Sequence, residues 1–243
     1  MAVWPLYGCL FNKAHMRIVL LILVFFSANG WAQELNKVDA NGLKQGPWEK
    51  YYPNSDQLRY QGQFKDDKEV GTFKFYCEDC KGQPTAVREF ATDGTAQTIF
   101  YNKKGSKLSE GRMKGKNRIG QWKFYEPRTG LMVSEEEYNA QGQLDGLKKT
   151  YYANRQLTEE LTYVAGKRQG PNKFYSEEGV LIKELNYSND ELHGPGLYYD
   201  GAGNLTIKGQ YVRGKKHGLW KYYKNGVLEL EEVYPKPRPK RGQ

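Results

Sequence analysis

One tyrosine returns about every 24 residues along this chain: Tyr51, Tyr76, Tyr101, Tyr125, Tyr151, Tyr175, Tyr199 and Tyr223, at spacings of 25, 25, 24, 26, 24, 24 and 24. A fixed period of this size marks an array of one small supersecondary unit. Such arrays bury apolar surface between neighbouring units and present a long repetitive surface, which suits binding and spacing better than catalysis.

Other columns share the register. A glycine opens most units (Gly46, Gly71, Gly120, Gly146, Gly170, Gly194, Gly218), with an aromatic two residues on at Trp48, Phe73, Trp122 and Trp220. A second aromatic usually precedes the tyrosine, as at Phe75, Phe100, Phe124, Phe174, Tyr198 and Tyr222. A turn follows, then an apolar residue such as Leu58, Met132, Leu157 or Leu228, then another aromatic such as Phe64, Tyr138, Tyr163 or Tyr234.

These spacings are those of β-strands. Trp220 and Tyr222 are two apart and share a strand face, while Tyr223 points to the other. Leu228 and Tyr234 are six apart, and that even separation predicts a shared face as well. The runs between turns are too short for stable helices. Asn225-Gly226 and Asp93-Gly94 carry hairpin-turn chemistry, because these residues accept positive φ. The prediction is an all-β fold: an elongated single-layer antiparallel sheet of about eight repeated β-hairpins, roughly 75 Å long at the usual strand spacing. Tyrosine suits a thin sheet, since it buries a ring while its hydroxyl stays wet. Trp48, Tyr51, Phe75, Tyr76, Tyr101, Trp122, Tyr125, Tyr151, Tyr175, Tyr199, Trp220 and Tyr223 are read as structural columns.

The pattern Tyr-x-x-Gly-Lys-x-x-Gly-x-Trp-x-x-Tyr-x-x-Gly-x-Leu, clearest at residues 211–228, resembles the bacterial variant of the MORN repeat found in the YwqK family of antitoxins. The resemblance covers residues 43–234. It implies a MORN-like hairpin array that contacts a macromolecular partner. The aromatic column is lost at Lys148, Asn172 and Gly196, so a binding surface built on it would be interrupted there.

Met16-Arg17 and the apolar run Ile18–Phe26 precede Gly30-Trp31-Ala32, the form of a signal peptide cleaved after Ala32. Residues 1–32 are therefore read as a leader, with Met16 an alternative start, 33–42 as a linker and 235–243 as a basic proline-rich tail. This implies export to the periplasm, cell envelope or medium. The formal charge of +9 falls to +7 without Lys13 and Arg17, and to +3 once Lys236, Arg238, Lys240 and Arg241 of the tail are set aside. A repeat body so mildly basic makes no nucleic-acid stripe.

Catalytic signatures are missing from the sequence. His193 and His217 occupy one repeat position that Val70, Ile119 and Asp145 fill in other units, and a catalytic column would not accept those residues. No P-loop, dinucleotide fingerprint or nucleophile elbow occurs. No cofactor or metal site is expected. Cys77 and Cys80 flank the turn after Tyr76; a local disulfide fits an exported hairpin best, ahead of free thiols, redox chemistry or half a zinc site. The sequence thus predicts an exported, non-enzymatic scaffold that binds a protein, with an envelope glycan or lipid head group as the alternative partner. It leaves the oligomeric state open.

Overall fold

The computed structural model describes residues 34–236; the leader and most of the basic tail lie outside this range. The described residues contain no helix and form eighteen strands in one sheet. The strands are β1 (Lys37–Val38), β2 (Lys44–Tyr51), β3 (Leu58–Lys65), β4 (Lys68–Tyr76), β5 (Pro84–Phe90), β6 (Thr95–Tyr101), β7 (Lys107–Lys114), β8 (Asn117–Tyr125) and β9 (Met132–Tyr138), followed by β10 (Gly146–Tyr151), β11 (Leu157–Val164), β12 (Lys167–Tyr175), β13 (Leu181–Ser188), β14 (Glu191–Leu192), β15 (Gly194–Tyr199), β16 (Leu205–Val212), β17 (Lys215–Lys224) and β18 (Val227–Tyr234). Every pairing is antiparallel and joins neighbours in the chain, with β13 meeting both β14 and β15. The sheet is open, as the repeated-hairpin reading expects.

The two turn classes follow from local chemistry. Two-residue turns link second strands to the next first strands or close the last hairpin. Asp66-Asp67, Asn189-Asp190, Arg213-Gly214 and Asn225-Gly226 all have positive φ at both positions. That is the turn geometry whose twist matches the flanking strands. The longer turns after the tyrosines are stapled by a side chain: Asn102 Oδ1 accepts from the Lys104 and Ser106 amides, both at 2.9 Å, and Asp200 Oδ1 does the same for Ala202 and Asn204.

The residues read as a linker include a strand. β1 pairs with the outer edge of β2, Asn36 N donates to Pro47 O at 3.0 Å, and Asn36 Oδ1 accepts from Glu49 N at 2.8 Å. The N-terminal edge of the array is thereby covered.

Parity does not carry through the second strands. At every tyrosine of the column the register slips: Tyr222 faces Leu230, yet Tyr223 faces Leu228, so Glu229 is an extra residue. The same bulge recurs at Tyr51, Tyr76, Tyr101, Tyr125, Tyr151, Tyr175 and Tyr199. Leu228 therefore lies on the face of Tyr223, and Tyr234 on that of Trp220, contrary to the even-spacing expectation. An inserted residue flips every side chain beyond it. The opening glycines are bulge residues too, with φ of 63° at Gly71 and 62° at Gly120.

The core is a line across one face, here called the aromatic face. Successive strands contribute Trp48, Gly62, Phe73, Arg88, Thr98, Gly111, Trp122, Glu136, Lys148, Leu161, Asn172, Leu185, Gly196, Gly209, Trp220 and Glu232. Phe73, Thr98, Trp122 and Trp220 have no exposed surface. Each large ring lies on a glycine of the neighbouring strand. A Cβ on Gly62 or Gly111 would stand 2.5 Å from the Phe73 or Trp122 ring, and one on Gly209 closer still to Trp220. The indole N–H groups of Trp122 and Trp220 donate to the main chain at Arg112 and Gln210, at 3.0 and 3.2 Å.

Candidate recognition surface

The opposite face carries a different row. Glu110, Lys123, Glu135, Lys149, Glu160, Lys173 and Glu184 stand side by side on seven consecutive strands, β7 to β13, with strictly alternating charge. Opposite charges directly across an antiparallel pair attract, and each lysine here has a glutamate on both sides. Before this stretch the row runs through Glu49, Gln61, Lys74, Val87 and Ile99; after it come Leu197, Lys208, Lys221 and Glu231.

The tyrosine column lies beside this ladder and is chemically tied to it. Tyr125 donates its hydroxyl to Glu110, Tyr151 to Glu135 at 2.8 Å, and Tyr51 to Glu49 at 2.8 Å. The hydroxyls that the sequence left to solvent are thus partly held by carboxylates. Burial, then the bond to Glu110, pushes the Tyr125 phenol up to about 12; burial and Glu135 do the same for Tyr151. The bond from Tyr125 holds the Glu110 carboxyl below its ordinary value. Between neighbouring tyrosines the bulge brings in the apolar residue: Tyr125, Leu131, Met132, Tyr151 and Arg155 line a groove of 290 Å³.

The twelve aromatic residues expected to be structural fall on both faces. Trp122 and Trp220 are fully buried and Tyr76 nearly so, while Trp48 and Phe75 are half-buried on the aromatic face. Tyr101, Tyr125, Tyr151, Tyr175, Tyr199 and Tyr223 are half-buried beside the ladder, and Tyr51 is exposed.

On the aromatic face, cations lie over the rings. Lys44 Nζ is 4.6 Å from the Phe64 centroid, Arg118 is 4.8 Å from Trp122, Arg168 4.4 Å from Tyr187, and Lys216 4.2 Å from Trp220. These cations occupy one repeat position, two residues before the bulge glycine, and their stems cover rings that a second layer would otherwise shield. A groove of 530 Å³ at the start of the array is lined by Tyr60, Phe64, Phe75 and Phe90 with Lys44, Lys68 and Glu69. Burial pushes the Glu69 carboxyl up, against the pull of Arg88 and Lys44.

At Lys148 and Asn172 the break in the aromatic row is polar, while Gly196 lies against Tyr211 and Leu185. Lys148 Nζ pairs with Glu136 at 2.9 Å, and Tyr138 also donates to Glu136. Burial pulls the Lys148 ammonium down, but the bond and charge of Glu136 outweigh it and the group is raised. Asn172, only 2% exposed, donates to Glu159 at 3.0 Å while its own oxygen has no partner.

Cys77 and Cys80 are joined as a disulfide, with Cα atoms 5.1 Å apart, and Cys80 is buried. Asp79 lies beside them, but bonded sulfurs offer no thiolate to a metal. His193 and His217 are exposed.

Fold and surface together define an open β-hairpin array with one aromatic-cationic face and one face of alternating charge. No protein-family model matches the chain, and no curated protein does.

Proposed function

We propose that this chain is an exported, non-enzymatic repeat protein that recognises a protein partner, of an antitoxin-like or surface-scaffold kind. The observation that carries the reading is the alternating Glu–Lys ladder flanked by half-buried tyrosines. A surface of fixed, alternating charges gives register and partner discrimination. Tyrosines beside it supply rigid, amphipathic contact area at low entropic cost. The leader-like segment supports export, and the resemblance to the MORN variant of the YwqK family supports a macromolecular partner. Affinity capture by the exported chain from its own cell envelope tests this. A protein retained by the native chain, and lost with Lys149→Glu and Lys173→Glu, supports it; capture unaffected by those changes contradicts it.

The groove of 530 Å³ with four aromatic side chains favours a second reading, a module for envelope glycans or lipid head groups. Rings that stack on sugars beside lysines fit such ligands. Retention of glycan or lipid in the same capture, abolished by Phe90→Ala and indifferent to the ladder, would favour it.

A further inference from the structure

The two ends of the sheet differ. The β2 edge is covered by residues 36–38, whereas β18 pairs only with β17 among the described residues. β18 leaves its outer edge free and exposes apolar side chains on both faces, with Val227 66%, Leu230 51% and Val233 61% exposed. An uncovered edge with apolar side chains is a template for one more strand.

The repeat states what that strand should carry. Inside the array each second strand has a first strand on its far side, and the two face each other in fixed register. Glu135 stands between Lys123 and Lys149, and Glu160 between Lys149 and Lys173. Among the described residues Glu231 has Lys221 on one side, 2.9 Å away, and nothing on the other. Its side chain is 43% exposed, against 19% for the interior Glu135. One row over, Ser109 meets Phe124, Glu159 meets Phe174 and Ile207 meets Tyr222, whereas Leu230 has Tyr222 on one side only.

A second copy of this chain is a poor occupant. Its β2, laid on β18 in the repeat register, would bring Glu49 to Glu231, and its own edge is already held by Asn36. Two β18 strands paired antiparallel about Leu230 would set Glu229 of each copy against Glu231 of the other.

We propose that the β18 edge docks an extended segment of a different polypeptide, with a cationic side chain opposite Glu231 followed by an aromatic residue opposite Leu230. The segment joins the sheet as a nineteenth strand through main-chain hydrogen bonds, and Glu231 sets its register. This rests on the protein-recognition reading and gives it a second contact region at the end of the ladder.

A labelled ten-residue peptide with the sequence of Lys215–Lys224 is the probe, titrated into the exported chain by fluorescence anisotropy. Saturable binding is expected, weakened at least tenfold by Glu231→Lys and restored to that variant by a peptide carrying Lys221→Glu. Slowed amide exchange in β18 on peptide addition locates the site. The circular dichroism of Glu231→Lys should match the native chain, because an exposed ion pair adds little to stability. No peptide binding, or equal binding by Glu231→Lys, overturns the inference, as does sedimentation as a dimer whose dissociation exposes β18. A protein still captured when the peptide fails to dock leaves the recognition reading standing and removes the edge. A docking peptide with no captured protein does the reverse.

Discussion

Trp122 lies on Gly111, ring against backbone, across the β7–β8 pair, and no side chain larger than hydrogen fits between them. The Trp220–Gly209 and Phe73–Gly62 contacts repeat it. In a one-layer sheet this is how a large ring becomes fully buried: the missing Cβ supplies the second wall.

Gly111→Ala should therefore destabilise the chain by about 1–3 kcal/mol, the usual range for overpacking. Gly201→Ala, at a position with open space and no positive φ, should change stability by no more than about 0.5 kcal/mol. Chemical denaturation of the two variants checks the contrast.

Trp122→Ala should cost up to about 3–5 kcal/mol, as for a large ring removed from a core. Tyr51→Ala, 43% exposed, should cost far less. Equal midpoints for the two would show that the buried row does not carry the sheet.

Where the row loses its ring, volume has moved across the strand pair: Asn172 replaces the tryptophan, and Leu161, opposite it, replaces the glycine. Asn172→Trp alone should destabilise by about 1–3 kcal/mol through collision with Leu161. Adding Leu161→Gly should recover much of the loss, with a coupling of about 0.5–3 kcal/mol in a double-mutant cycle. Additive effects would mean the two positions are independent.

Alkaline pH should loosen the tyrosine–glutamate bonds. A phenol raised in the folded state contributes stability that is whole below the free value of 10.0 and is lost as pH rises through the folded value of about 12 for Tyr125 and Tyr151. Glu110, depressed in the folded state, contributes stability that is present above its ordinary value and lost as pH falls through the lowered one. The melting temperature should be flat near neutrality and decline above pH 10, with phenolate absorbance lagging free tyrosine. Glu110→Gln should bring one phenol back toward 10.

The Cys77–Cys80 bond closes a very short loop, so it removes little entropy from the unfolded chain. On the loop-entropy account its stabilisation should be about 2 kcal/mol or less. Cys77→Ser with Cys80→Ala should leave the fold and the capture of a partner in place. Loss of partner capture with unchanged stability would instead indicate thiol chemistry at this turn.

The repeat was legible because tyrosines, glycines and turn residues mark each strand end, and strand identity followed from two-residue spacing. Face assignment failed at Leu228 because a bulge is one extra residue, and its glutamate is indistinguishable in sequence from its neighbours. The glycine wall has a sequence signal of its own: Gly62, Gly111 and Gly209 each lie eleven residues before their ring at Phe73, Trp122 and Trp220. That offset reports strand pairing across a two-residue turn, which column-by-column reading does not compare. The ladder was visible only as scattered acids and lysines, since alternation across strands depends on the register set by the bulges. β1 is illegible in the sequence because two residues are too few to show a period.

The most direct test of the account is binding of the captured partner protein by calorimetry to three versions of the chain: native, Lys149→Glu with Lys173→Glu on the ladder face, and Arg168→Glu on the aromatic face. At least a tenfold loss of affinity is expected for the ladder variant and little change for Arg168→Glu, with both variants folded by circular dichroism. Unchanged affinity for the ladder variant, with loss for Arg168→Glu, would contradict it and move recognition to the aromatic face.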